Sequence, residues 1–178
     1  LFSLFLLLGF HTALQAQNIS DKLVAYFPFS ACKAIDESGN GSNGALIGDA
    51  SCVCGVRDSA INLDGDGDAI FFVGPVNDVF TTSDFSVSFY FKPFEPGSGV
   101  SEVLFSKQEN CTTQRAFWIR YNPKSKKISS GISQNDTLLV SVTAALAQHA
   151  CWQYITLVRA NTLYSIYIDG VLIDSKSS

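Results

Sequence analysis

The chain reads as short runs of alternating apolar and polar residues separated by turn residues, the pattern of strands with one buried and one wetter face. Phe85-Ser-Val-Ser-Phe-Tyr-Phe91 is the clearest case. Phe85, Val87, Phe89 and Phe91 fall on one side, and Ser86, Ser88 and Tyr90 on the other. Ala116–Tyr121 alternates in the same way, turns at Asn122-Pro123 and returns through Lys127–Ile132. Leu138–Val142 predicts another strand, and Trp152–Arg159 and Tyr164–Asp174 close the sequence, with Asp169-Gly170 as a hairpin turn.

The first half is less regular. Leu23–Phe29 predicts an opening strand, with Pro28 marking an edge, an end or a bulge. Residues 36–44, rich in Gly, Asn and Asp, form a loop, and Ala45–Ala50 suits a short strand. Ile61–Leu63, the turn Asp64-Gly-Asp-Gly-Asp68 and Ala69–Val73 read as a tight strand-turn-strand unit, and Val103–Lys107 as a further short strand. Ala144–His149 is the one helix-like piece. About ten strands with short turns and one-sided alternation predict an all-β fold, two antiparallel sheets packed face to face.

Composition narrows the function. Fourteen Phe and six Tyr among many Val, Ile and Ser suit strands. A net charge of -4 offers no basic surface for nucleic acid and no polybasic membrane patch. Lys124, Lys126 and Lys127 cluster beside Asn122-Pro123, as expected of a solvated hairpin tip. Leu1–Phe10 is almost wholly apolar and is followed by smaller, more polar residues to Ala16. This is the core and cleavage region of a secretory signal without its basic start, and it is too short to span a bilayer comfortably. Residues 1–16 are therefore expected to be a signal peptide and residues 17–178 one exported domain, secreted or on the cell surface, with no membrane insertion of the mature domain.

An exported chain with five Cys is expected to hold disulfides. The preferred pairing is Cys111 with Cys151, and Cys32 with either Cys52 or Cys54, which leaves one Cys over. Cys52 and Cys54 are too close to bridge each other easily, and the spacing lacks the paired knuckles of a zinc site.

Several of these segments, in order, resemble the laminin-G-like, concanavalin A-like jelly-roll domains of secreted bacterial proteins. Leu23-Val-Ala-Tyr-Phe-Pro-Phe29 is similar to their opening strand, and Asp36-Glu-Ser-Gly-Asn-Gly to their Asp-x-Ser-Gly-Asn-Gly loop. Ile61–Ile70 resembles their Phe-Asp-Gly-x-x-Asp-Tyr-Ile element, and Phe85–Pro93 their Phe-Thr-Ile-Ser-Phe-Trp-Val-Lys-Pro strand. Leu104–Lys107, Trp152–Arg159 and Tyr167–Gly170 match later elements, so the resemblance runs over residues 23–174. It implies a jelly-roll sandwich with a further closing strand beside the first. The chain is accordingly expected to be truncated at its C-terminus, to expose an edge at Leu23–Phe29, and to continue into further domains.

The resemblance also implies a structural calcium held by the loop at Asp36. The ligand candidates are Asp36, the preferred one, with Asn40, Asp64 and Asp68, since calcium takes hard oxygen ligands. The alternative for these residues is turn formation and capping of backbone amides. Asp64–Asp68 lacks the distal Glu and flanking helices of an EF-hand. No paired-carboxylate strand of the glycosidase type occurs, and His149, the one His after the signal, has no triad context. The expected function is a non-catalytic recognition or adhesion module whose partner is a glycan or a cell-surface protein. The alternative is a spacer or an accessory domain of a larger exported enzyme. Tyr121, Tyr154, Tyr164 and Tyr167 are candidate sugar platforms, while Trp118 and Trp152 read as core or near-core.

Overall fold

The computed structural model describes residues 21–80, 84–93, 99–108, 115–134, 137–146 and 151–178. Twelve strands follow one another there. They are β1 (Gly44–Ile47), β2 (Ser51–Cys54), β3 (Ser59–Asn62), β4 (Ala69–Phe72), β5 (Phe85–Phe91), β6 (Glu102–Gln108), β7 (Arg115–Asn122), β8 (Lys127–Gln134), β9 (Thr137–Ala145), β10 (Gln153–Ala160), β11 (Leu163–Ile168) and β12 (Val171–Ser177). Two four-stranded sheets, ordered β12-β11-β10-β5 and β6-β7-β8-β9, make the body of the domain. Every pairing is antiparallel and neither sheet closes into a barrel.

The predicted alternation positions the core. Phe85 is buried and Val87, Phe89 and Phe91 pack on the same cluster as Ile155 and Leu157 of β10 and Ile166 of β11. The facing sheet contributes Phe117, Ile119 and Tyr121, Ile128 and Ile132, and Val140 and Val142. Phe80, after the 3-10 turn Pro75–Asp78, stacks on Phe117 at 4.7 Å and meets Phe85 edge-on at 5.1 Å, so it packs against rings from both sheets. Each such side chain withdrawn from water contributes roughly 2–3 kcal/mol. Asp169 and Gly170 both take positive φ (51° and 81°), as the two-residue hairpin between β11 and β12 requires.

The first half departs from its prediction in two places. Leu23–Phe29 forms no ladder among the described residues. Its backbone groups go to the following loop: Tyr26 N–H donates to Asp36 Oδ1 at 2.9 Å, and Glu37 N–H donates to the Tyr26 carbonyl at 2.9 Å. The expected strand-turn-strand unit around Asp64–Asp68 is also not a hairpin. β4 pairs with β1, and β3 with β2, so the four strands form a nested ribbon, the inner pair carried at the end of the outer pair. The two halves are joined by residues 48–50 on one side and 63–68 on the other. In the second half, Ala144 and Ala145 end β9 rather than starting a helix, because Ala144 is buried as one of β9's inward residues. Residues 147–150, including His149, lie outside the described residues, as do residues 1–20 with the expected signal peptide.

Cys32 is bridged to Cys52, with Cα atoms 5.5 Å apart. Among the described residues Cys54 and Cys151 are exposed free thiols, and Cys111 is not among them. The bridge pins a turn in which Phe29, Ala31 and Cys32 all have positive φ. Ser59 of β3 holds the same turn: its hydroxyl accepts the Cys32 N–H at 3.3 Å and donates to the Phe29 carbonyl at 2.7 Å.

Candidate functional site

Three polar or aromatic arrangements stand out, and they lie on different parts of the domain. The first is the Asp36 loop. Asp36 is buried. Its Oδ1 accepts the amides of Tyr26 and Ser38, both at 2.9 Å, and its Oδ2 the amide of Ser42 at 2.8 Å. Burial opposes its ionisation, but the hydrogen bonds from Tyr26, Ser38 and Ser42 outweigh that cost and hold the carboxyl well below the usual carboxylate range. Asn40 turns its side-chain amide to the Leu23 carbonyl at 2.7 Å and the Val24 carbonyl at 3.2 Å. Asp36 and Asn40 thus tie the 36–42 loop to residues 23–26. The amides point their hydrogens at Asp36, the arrangement that caps a turn.

The second arrangement is the junction of the nested ribbon. Asp49, Asp64 and Asp68 bring carboxylate oxygens within 4.8 Å of one another. Asp49 and Asp64 are exposed and Asp68 half-buried. Asp68 organises the junction, accepting the Asp49 amide at 2.8 Å and the Asp64 amide at 3.2 Å. Gly48, at φ +80°, leaves the room: a Cβ there would collide with Asp68 Oδ1. This carboxylate group could coordinate a metal ion. Of the residues singled out from sequence, Asp64 and Asp68 meet here, while Asp36 and Asn40 are not part of the group. Asp49 was missed because a local hairpin reading leaves it outside the 64–68 turn. The nested pairing of β1 with β4 and β2 with β3 sets the two linkers side by side.

The third arrangement is aromatic. Tyr121 and Tyr164 are core residues, 2% and 1% exposed, so neither offers a ring to a ligand. Tyr154 and Tyr167 are half-buried on the solvent face of the β12-β11-β10-β5 sheet. There Tyr154 stands opposite Tyr90, which is 53% exposed, with ring centroids 4.8 Å apart. The neighbouring pair, Ser88 and Thr156, joins its hydroxyls at 3.1 Å, and Tyr167 flanks Thr156 from β11. The result is two adjacent rings beside a row of hydroxyls. Alternation along β5 already puts Tyr90 on the wetter side; the register that sets it against Tyr154 is a long-range property.

Residues 64–178 match the laminin-G-type model of the concanavalin A-like lectin/glucanases superfamily. The chain belongs to this superfamily. Solved structures of similar fold include the receptor-binding domain of the botulinum neurotoxin C/D mosaic serotype, at 17% identity and TM-score 0.73, over 89% of this chain and 40% of that one. The binding domain of Paraclostridial Mosquitocidal Protein 1 is similar at 20% identity and TM-score 0.73, over 89% of this chain and 41% of that one. The binding domain of botulinum neurotoxin DC, solved in complex with SialylT, is similar at 16% identity and TM-score 0.71, over 89% and 40%. The chain thus spans about two fifths of the length of each of these structures. No curated protein matches it.

Proposed function

We propose that this domain is a non-catalytic recognition module of a secreted or cell-surface protein, and that it binds a saccharide on the solvent face of β5 and β10. The observation that carries the reading is the Tyr90–Tyr154 pair. Two rings 4.8 Å apart, one of them half exposed, give the flat apolar surface against which a sugar ring stacks. Ser88 and Thr156 supply hydroxyls for the sugar's own hydroxyls beside it. Superfamily membership and the likeness to toxin binding domains, one solved with SialylT, support the class of activity. The test is binding of the chain and of its Tyr90→Ala and Tyr154→Ala variants to immobilised saccharides. Each variant should lose at least about tenfold in affinity while keeping its melting temperature, because both rings lie outside the core. Equal binding by both variants would move the site elsewhere.

A structural calcium at Asp49, Asp64 and Asp68 is the second part of the proposal. Three carboxylates are hard oxygen donors, and a divalent cation relieves their mutual repulsion. The ion's work would be structural, closing the junction between the two halves of the nested ribbon. Calcium should raise the melting temperature, chelator should reverse the rise, and Asp64→Asn should abolish it. An unchanged melting temperature across calcium concentrations would remove the ion from the account.

A further inference from the structure

The opposite sheet carries a surface the saccharide reading above does not use. Trp118 lies between Phe117 and Ile119, both in the core, so its own side chain is on the outer face of β7. There it faces Gly131 of β8, its cross-strand partner. A Cβ on Gly131 would fall 2.5 Å from Trp118 Cζ2 and 2.8 Å from Cε2, so the indole is laid flat against the glycine backbone. The guanidinium of Arg120, two residues along the same strand, sits over the ring, 4.7 Å from its centroid. Arg120 is exposed, and among the described residues no carboxylate pairs with it.

We propose that this stack is a binding site for a carboxylate-bearing saccharide, with Arg120 as the anion-binding group and Trp118 as its support. A guanidinium held over an indole keeps its N–H edges free and has lost much of its side-chain freedom before any ligand arrives. That is the geometry a planar carboxylate meets with two parallel hydrogen bonds. The surroundings suit a sugar. Ser106 stands opposite Trp118 on β6, Ser129 opposite Arg120 on β8, and Ser141 opposite Gly131 on β9, all on the same face as their partners. The charge is complementary: residues 102–145 hold six Lys or Arg against three Asp or Glu, in a chain that is -4 overall. The site lies on the outer face of the other sheet from Tyr90 and Tyr154 and is tested independently of them.

The test is calorimetric titration of the full chain with polygalacturonate, with its methyl ester, and with dextran sulfate, the three compared at matched ionic strength and polygalacturonate repeated at higher salt. Polygalacturonate should bind saturably, more weakly as salt rises, and the methyl ester at least tenfold more weakly. Arg120→Gln should lose at least tenfold, and Arg120→Lys should recover only part of it. Gly131→Ala, which dislodges the indole, should weaken binding as well. If that variant fails to fold, the exposed Arg120 substitutions still decide the matter. No binding of polygalacturonate, equal binding of its methyl ester, or full binding by Arg120→Gln would each overturn the proposal. Dextran sulfate bound as tightly as polygalacturonate would overturn the carboxylate assignment.

Discussion

The Tyr164 hydroxyl of β11 lies 2.5 Å from the Ser130 hydroxyl of β8, a hydrogen bond that joins the two sheets through the middle of the core. Ser130 spends its own proton on the Trp118 carbonyl at 2.7 Å, so Tyr164 is the donor to Ser130. Both residues are buried, and each buried polar group finds a partner in the other. Tyr164→Phe should therefore cost about 1 kcal/mol, and Tyr164→Ala about 3–5 kcal/mol through the cavity it leaves. Denaturant unfolding of the two variants checks the difference.

The same burial sets a pH dependence. Desolvation pushes the Tyr164 phenol above its ordinary value, against smaller opposing effects of Ser130 and Arg159. A raised folded-state value means the neutral form's stability is fully present below pH about 10 and is lost as pH rises beyond it. The Tyr164 share of phenolate absorbance should appear only with unfolding in an alkaline titration.

Asp36 gives the opposite sign. Its carboxyl is held low by amides of Tyr26, Ser38 and Ser42, so its contribution is present above pH about 4 and is lost as pH falls below it. Asp36→Asn should cost about 2 kcal/mol, since an amide side chain replaces charged acceptors and presents hydrogens to facing N–H groups. Amide exchange should show Tyr26, Ser38 and Ser42 losing protection first, as they are the direct donors.

Disulfide mapping should find Cys32 joined to Cys52 and Cys54 alkylatable without reduction. Cys52→Ser should cost about 3 kcal/mol for a bridge across a separation of 20 residues, and Cys54→Ser close to nothing. A large loss in Cys54→Ser with none in Cys52→Ser would reverse the assignment.

The parts of this domain that sequence made legible are those in which a local period carries the information. Phe85–Phe91 alternates and its Phe and Val positions face the core; Asp169-Gly170 is a turn pair and makes the turn. Elements decided by distant partners were read less well. Leu23–Phe29 has the composition of a strand, yet its Tyr26 amide is taken by Asp36, ten residues on, before any ladder forms. The β1–β4 pairing encloses another hairpin, and no local signal reports an enclosure. The candidate sites divide in the same way. Asp64 and Asp68 are close in sequence and were found; Asp49 needed the enclosure, and Tyr90 with Tyr154 needed a register 64 positions apart. Tyr121 and Tyr164 were poor candidates because an aromatic's face depends on strand parity, which in both strands turns the ring into the core.

The most direct test of the recognition reading is a glycan array probed with the oxidised, folded chain beside its Tyr90→Ala variant. The account predicts binding of a defined set of saccharides by the parent and at least about tenfold weaker signals from the variant. Silence from a parent shown to melt cooperatively, or identical profiles from the two proteins, would contradict it.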